Sequence, residues 1–316
     1  VIAAVIHSKG GFMSALQGLA NVSDPAVSDT PGIFASFFGP DPFNLLCVVI
    51  LTSLGTWGLP QMVQKFYAID NEASIQKGTV ISTIFALIVS GGCYFLGGFG
   101  RLFSDQIDVK ANGFDSIIPT MLSNLSPALI ALVVILVLSA SMSTLSSLVI
   151  ASSSTLTIDF LKDNFIKNMS DKKQVLYIRI LVVVFIAISA ILALIQYKSS
   201  VTFIAQLMGI SWGALAGSFL APFMFSLYSK KVSKASCWAC FLFSSVLMIA
   251  NIFFRASFPT WLQSPINCGA FAMFAGMIIV PVVSLFTPKP DKELVDSAFA
   301  CYEKETEVPQ KTALGK

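Results

Sequence analysis

The stretch Ser139–Phe160, "SASMSTLSSLVIASSSTLTIDF", decides the reading of this chain, because it sets hydroxyl after hydroxyl where an apolar helix would carry leucine. Up to Ile158 it lies within a run from 126 to 158 that contains no charged residue. Further charge-free runs cover 43–64, 78–100, 180–197, 199–229, 235–254 and 256–288. A membrane-crossing helix needs roughly 20 apolar residues, so the pattern predicts seven spans. Composition agrees: 55% of the residues are hydrophobic and 12% charged, with a mean hydropathy of +0.79, whereas about a quarter of an average soluble chain is charged. The expectation is an all-α membrane protein in a lipid bilayer.

Lysine and arginine in the short loops orient such a chain. Lys65 and Lys77 follow the first run; Lys162, Lys167, Lys172, Lys173 and Arg179 follow the third; Lys230, Lys231 and Lys234 follow the fifth. These loops are expected on the cytoplasmic side. The intervening loops hold Asp105, Asp108 and Asp115 against Arg101 and Lys110, then Lys198 alone, then Arg255 alone, and are expected outside. Parity then places the C-terminal tail, 288–316, in the cytoplasm as a short amphipathic helix followed by disorder. The net charge of +3 is thus accounted for by topology and gives no sign of a nucleic-acid partner.

Within 139–160, Ala140, Ser143, Thr144 and Ser147 are spaced by three, one and three, which sets them on one helix face. One or two hydroxyls in hydrocarbon bond back to their own helix or to a neighbour. A run this long asks for more. Sodium, a hard cation, prefers oxygen ligands, and hydroxyls beside a helix carbonyl supply part of its shell. With no Asp or Glu at mid-membrane, the ion would be held by dipoles and released readily.

The run 43–64 contains "LTSLGTWGLPQMVQKF", with Gly55, Gly58 and Pro60 at its middle. Glycine costs a helix about 1 kcal/mol and an interior proline about 3 kcal/mol relative to alanine, so the helix is expected to break or kink there. A break frees backbone groups that hydrocarbon tolerates only where they are buried or line a wet cavity, and broken helices of this kind form transporter sites. Gly209, Gly213 and Gly217 recur every four residues, a spacing that suits close helix packing, with Gln206, Ser211 and Trp212 as alternative cavity-lining groups. The runs 180–197, 235–254 and the later half of 256–288 read as ordinary lipid-facing or packing helices that contribute little but bulk. "CWAC" at 237–240 has the spacing of a redox or zinc motif, yet no second cluster of Cys or His accompanies it, and Cys47, Cys93, Cys240 and Cys268 read as membrane cysteines. An enzyme or a proton relay would need ionisable groups at membrane depth; the single His7 and the loop carboxylates do not supply them. No cofactor is expected.

Taken together, "GTWGLPQMVQKFYAIDNEASIQKG", then "GRLF" and "IIPTML", then "SASMSTLSSLVIASSSTLTIDFL" resemble the sodium/solute symporter family in order and spacing, from the first residues to about Phe286. The family's fold is the LeuT type, two inverted five-helix repeats flanked by extra helices. The resemblance implies that 1–20 ends the last helix of the first repeat, that 43–229 is the second repeat, and that 235–287 adds two transmembrane helices. It also implies N-terminal helices of the same protein that this sequence does not contain, one of which would share the sodium site. By the same resemblance Ala140, Ser143 and Thr144 hold the ion, and Thr56, Trp57, Gly58 and Gln61 lie beside the substrate.

The family's substrates include proline, pantothenate, monocarboxylates and sugars. Thr52 and Thr56 stand where proline-type members carry an aromatic pair. "GLP", "HSKGGF" and "DSIIPTML" look more like the pantothenate and monocarboxylate branch, though Gln61 stands where that branch has His. The expected function is sodium-coupled import of a small organic acid across the plasma membrane. The alternatives are an amino-acid symporter and a sensor that binds solute without flux.

Overall fold

Proline and asparagine punctuation sets the start of several helices in this chain, and the computed structural model follows it. It describes residues 1–25, 27–64, 69, 71–107, 113–199 and 204–303. In chain order the α-helices are α1 (Ile2–Ser8), α2 (Phe12–Ala20), α3 (Pro42–Ser53), α4 (Pro60–Gln64), α5 (Glu72–Gly98), α6 (Ile117–Ser123), α7 (Pro127–Thr155), α8 (Asp171–Ser199), α9 (Ile204–Tyr228), α10 (Lys234–Phe253), α11 (Pro265–Phe286) and α12 (Lys292–Phe299). Pro127 and Pro265 open α7 and α11 at the first helical position, where a missing N–H costs nothing. Asn71 and Ser233 cap α5 and α10 by accepting from the amides of Ser74 and Ser236, at 2.8 and 3.1 Å. Such caps satisfy donors that the first turn leaves free.

Among the described residues six helices are long and apolar enough to cross a bilayer: Ala73–Gly98, Pro127–Lys162, Asp171–Tyr197, Gln206–Tyr228, Lys234–Phe253 and Pro265–Phe286. The run 43–64 breaks where Gly55, Gly58 and Pro60 predict it, into the 12-residue α3 and the short α4. A correction concerns 1–20, expected as one helix end. Gly10 and Gly11 adopt φ of +83° and +96°, a left-handed region that glycine enters without penalty, and the chain turns there between α1 and α2. Of the tail, α12 and a 3₁₀ turn at Ala300–Glu303 are present; 304–316, with the expected disorder, lie outside the described residues.

The chain divides into two units, 1–42 with 65–204 and 43–64 with 205–316. In the first unit, Val5 and Ala15 of α1 and α2 pack with Phe99, Phe103 and Met121. The Lys9 ammonium donates to the Leu102 carbonyl at 2.8 Å and lies 4.1 Å above the Phe103 ring. Arg101 pairs with Asp24 at 2.6 Å and covers the Phe34 ring. This assembly includes most of the segment 101–125; residues 108–112 are outside the described set. α7 and α8 pack against each other.

The second unit is built on a seam of small residues. A Cβ on Gly213 would lie 2.7 Å from the Gly269 Cα, and one on Gly217 would lie 2.8 Å from the Ala272 Cβ. The backbones of α9 and α11 therefore touch where the four-residue glycine spacing predicts contact. Cys47 and Leu51 of α3 join Ala216, Leu220, Ile266, Ala270 and Met273 in the core beside this seam. α10 closes the unit with polar as well as apolar contacts. The Asn251 side chain is buried and donates to the Leu262 carbonyl at 2.8 Å, and the Cys240 thiol donates to the Gly217 carbonyl at 3.3 Å. The expectation that 235–254 and the later half of 256–288 contribute bulk alone is corrected accordingly.

Candidate functional site

The first candidate is the interruption between α3 and α4. The α-helix stops at Ser53, residues Gly55–Gly58 form one 3₁₀ turn, and a new helix begins at Pro60. Pro60 explains the geometry. Its ring disfavours helical backbone at the residue before it, and Leu59 is extended, with ψ of 113°. Proline itself is well placed at the first position of α4. The interruption is held against α9: a Cβ on Gly58 would lie 2.9 Å from the Leu220 amide nitrogen and 3.0 Å from the Ala216 Cα. Only glycine permits this approach without moving backbone.

Side chains around the turn divide by orientation. Gly55, Gly58 and Leu59 are buried, Thr56 is half-buried and donates to the Ser53 carbonyl at 2.8 Å, and Trp57 is 60% exposed. Thr52 likewise donates to the Val48 carbonyl at 2.8 Å. Thr56, Trp57 and Gly58 thus share one turn. Gln61 is the second residue of the following helix, and its side chain is outside the described set.

The second candidate lies on α7. Ala140, Ser143 and Thr144 are all exposed on this helix. The Ser143 hydroxyl donates to the Ala140 carbonyl at 3.0 Å, and Ser147 donates to the Thr144 carbonyl at 2.9 Å. Back-bonding of this kind uses the hydroxyl proton and leaves oxygen lone pairs facing outward. Two oxygens 3.0 Å apart present a neutral pair that one hard cation can touch together. Among the described residues no group of three or more His, Cys, Asp or Glu side chains is placed to hold a metal ion. The two candidates belong to different units.

Further along α7 the structure adds a feature that the spacing argument passed over. Ser153 and Thr157 are fully buried, and their hydroxyl oxygens have no hydrogen-bond partner among the described residues. The helix there loosens into a π-turn at Leu156–Lys162. The hydroxyl run includes both residues, but nothing in its composition separates them from exposed Ser152 or half-buried Ser154. Gln206 also has a buried, unpartnered carbonyl oxygen.

Known proteins resemble this chain along most of its length. A sodium/proline symporter of Haemophilus influenzae is 27% identical over 267 residues, 81% of this chain and 52% of that protein. The high-affinity proline transporter PutP of Bacillus subtilis is 26% identical, with 81% and 54% covered. A sodium/pantothenate symporter of Haemophilus influenzae is 24% identical over 233 residues, 72% of this chain and 45% of that protein. The chain spans about half the length of the curated relatives it matches. The model of the sodium:solute symporter family matches residues 1–242, a match that includes the broken run 43–64 and the whole hydroxyl run of α7. This chain is a multi-pass membrane protein of the sodium:solute symporter family.

Proposed function

We propose that the chain is part of a sodium-coupled symporter of the plasma membrane that imports a small organic solute. The observation that carries this reading is the oxygen pair of Ala140 and Ser143, neutral and outward-facing on an apolar helix. Thr144 completes the protein's share of the ion shell from this chain, and a helix outside this sequence would supply the rest. The LeuT-type repeat, with 43–229 as its second half and the C-terminal tail in the cytoplasm, belongs to the same proposal. Solute binds beside the interruption, at Thr56, Trp57, Gly58 and Gln61, where the 3₁₀ turn breaks the regular helix.

Sodium binding first would favour the outward-open form and tighten solute; the coupling is reciprocal, so solute tightens sodium by the same factor. One charge moved inward through 100 mV contributes about 2.3 kcal/mol, roughly fifty-fold in accumulation. The substrate we favour is a small organic acid, because Thr52 and Thr56 stand where proline-type members are aromatic. The names of the relatives with 26% and 27% identity support proline as a second reading.

The test is uptake of labelled pantothenate, lactate and proline by the full-length protein in proteoliposomes, under a sodium or an equal choline gradient. Accumulation of one solute only with sodium supports the symporter and chooses its branch. Folded protein that binds a solute without flux would replace it by a sensor. Thr144→Ala should raise the sodium concentration for half-maximal uptake while leaving expression intact; unchanged sodium dependence would remove the ion assignment.

A further inference from the structure

The short loop 229–233 joins α9 to α10, and beside it the two helices border a groove of about 410 Å³. Its lining is chemically divided. Phe219, Pro222, Trp238 and Phe241 make an apolar wall, while Lys234, the first residue of α10, stands at the end nearest the loop. The aromatic rings form a ledge, with centroids 5.9 Å apart for Phe219 and Phe241 and 5.8 Å for Trp238 and Phe241. Trp238 remains 55% exposed. Pro222 lies inside α9, where it removes a backbone donor and keeps the helix from regular closure.

The loop charges are unequal in their availability. Lys230 is engaged with Asp296 at 3.0 Å and lies over the Phe299 ring. Lys231 and Lys234 have no ion pair among the described residues. A free ammonium therefore stands at one end of an aromatic trough on two membrane-crossing helices. A water-soluble anion would leave the aromatic wall unused, and an uncharged lipid would leave the lysines unused. We propose that this groove seats one anionic phospholipid, its phosphate on Lys234 and Lys231 and its acyl chain along Phe219, Trp238 and Phe241. From Lys234 to Phe241 the helix rises about 10 Å, enough for the upper part of a chain. Tryptophan near the membrane boundary and basic residues facing an anionic leaflet suit this placement.

The test uses the full-length protein in phosphatidylcholine vesicles containing increasing phosphatidylglycerol with brominated acyl chains, which quench nearby tryptophan. The quenching lost in Trp238→Phe isolates this site from the other tryptophans. It should saturate at a low fraction of brominated phosphatidylglycerol, and brominated phosphatidylcholine at the same fraction should not reproduce it. Lys234→Gln should raise the phosphatidylglycerol fraction needed about fivefold, and adding Lys231→Gln about fivefold again. Lys172→Gln removes the same charge at the start of α8 and should change nothing. Equal quenching by both lipids, no Trp238-dependent quenching because protein covers the groove, or an equal shift in the Lys172 variant would each overturn the proposal.

Discussion

Helices α7 and α8 are the most apolar in the chain, yet none of their apolar windows is buried within the protein; α9 and α11 are less apolar, and 33% of theirs is buried. In water the order would be reversed. In a bilayer, lipid tails reward leucine as well as a protein core does, so helix association depends on close packing and polar bonds instead. The glycine seam and the buried Asn251 follow that rule. So does the hydroxyl run, in a different way: where packing is absent its serines bond back to their own helix, as Ser143, Ser146 and Ser147 do.

The comparison is most severely tested at the seam. Gly213→Leu places side-chain atoms where the Gly269 backbone already is, and overpacking costs about 1–3 kcal/mol or more. Loss of the monodisperse folded peak in fluorescence size exclusion is the expected result. Gly97→Leu, on α5 where a Cβ would meet nothing within 4 Å, should retain that peak. Equal tolerance at both positions would mean that α9 and α11 are not held backbone to backbone.

A smaller effect is expected at Asn251→Leu, which removes the bond to the Leu262 carbonyl and leaves that carbonyl unpaired, at about 1–3 kcal/mol. A lowered midpoint of thermal unfolding, with folding preserved at low temperature, would show it. Ser143→Ala sharpens the contrast from the other side. The residue is exposed and its bond local, so stability should change within about 0.5 kcal/mol, while the sodium concentration for half-maximal uptake rises. A stability loss comparable with Asn251→Leu would show that the Ser143 face of α7 is packed. The smallest effect belongs to Lys230→Gln. Its bridge to Asp296 is about half exposed on both sides, and such pairs contribute at most about 1 kcal/mol. Faster proteolysis after α11, with an unchanged unfolding midpoint, is the expected outcome.

Much of this was legible in order along the chain. Charge-free runs located the long helices, because hydrocarbon excludes charge over about 30 Å whatever the fold. Pro60 with Gly55 and Gly58 marked the interruption, since each acts on its own backbone. The four-residue glycine spacing pointed to a packed face, but not to its partner. Gly10 and Gly11 were less readable: a glycine pair inside an apolar stretch is compatible with a helix, and only the packing of Val5 and Ala15 on Phe99 and Phe103 explains why the chain turns there.

Sequence by itself determined the membrane class, the helix boundaries and the face shared by Ala140, Ser143 and Thr144, because these depend on local backbone preference and on solvent. Tertiary structure alone decided which polar groups are buried. Asn251 and Ser153 look no different in sequence from exposed neighbours, and their burial depends on the elements that pack around them, as the turn carrying Leu262 does at Asn251. It also decided the groove at Lys234, where two helices, a proline and a basic loop combine into a surface that none of them forms alone.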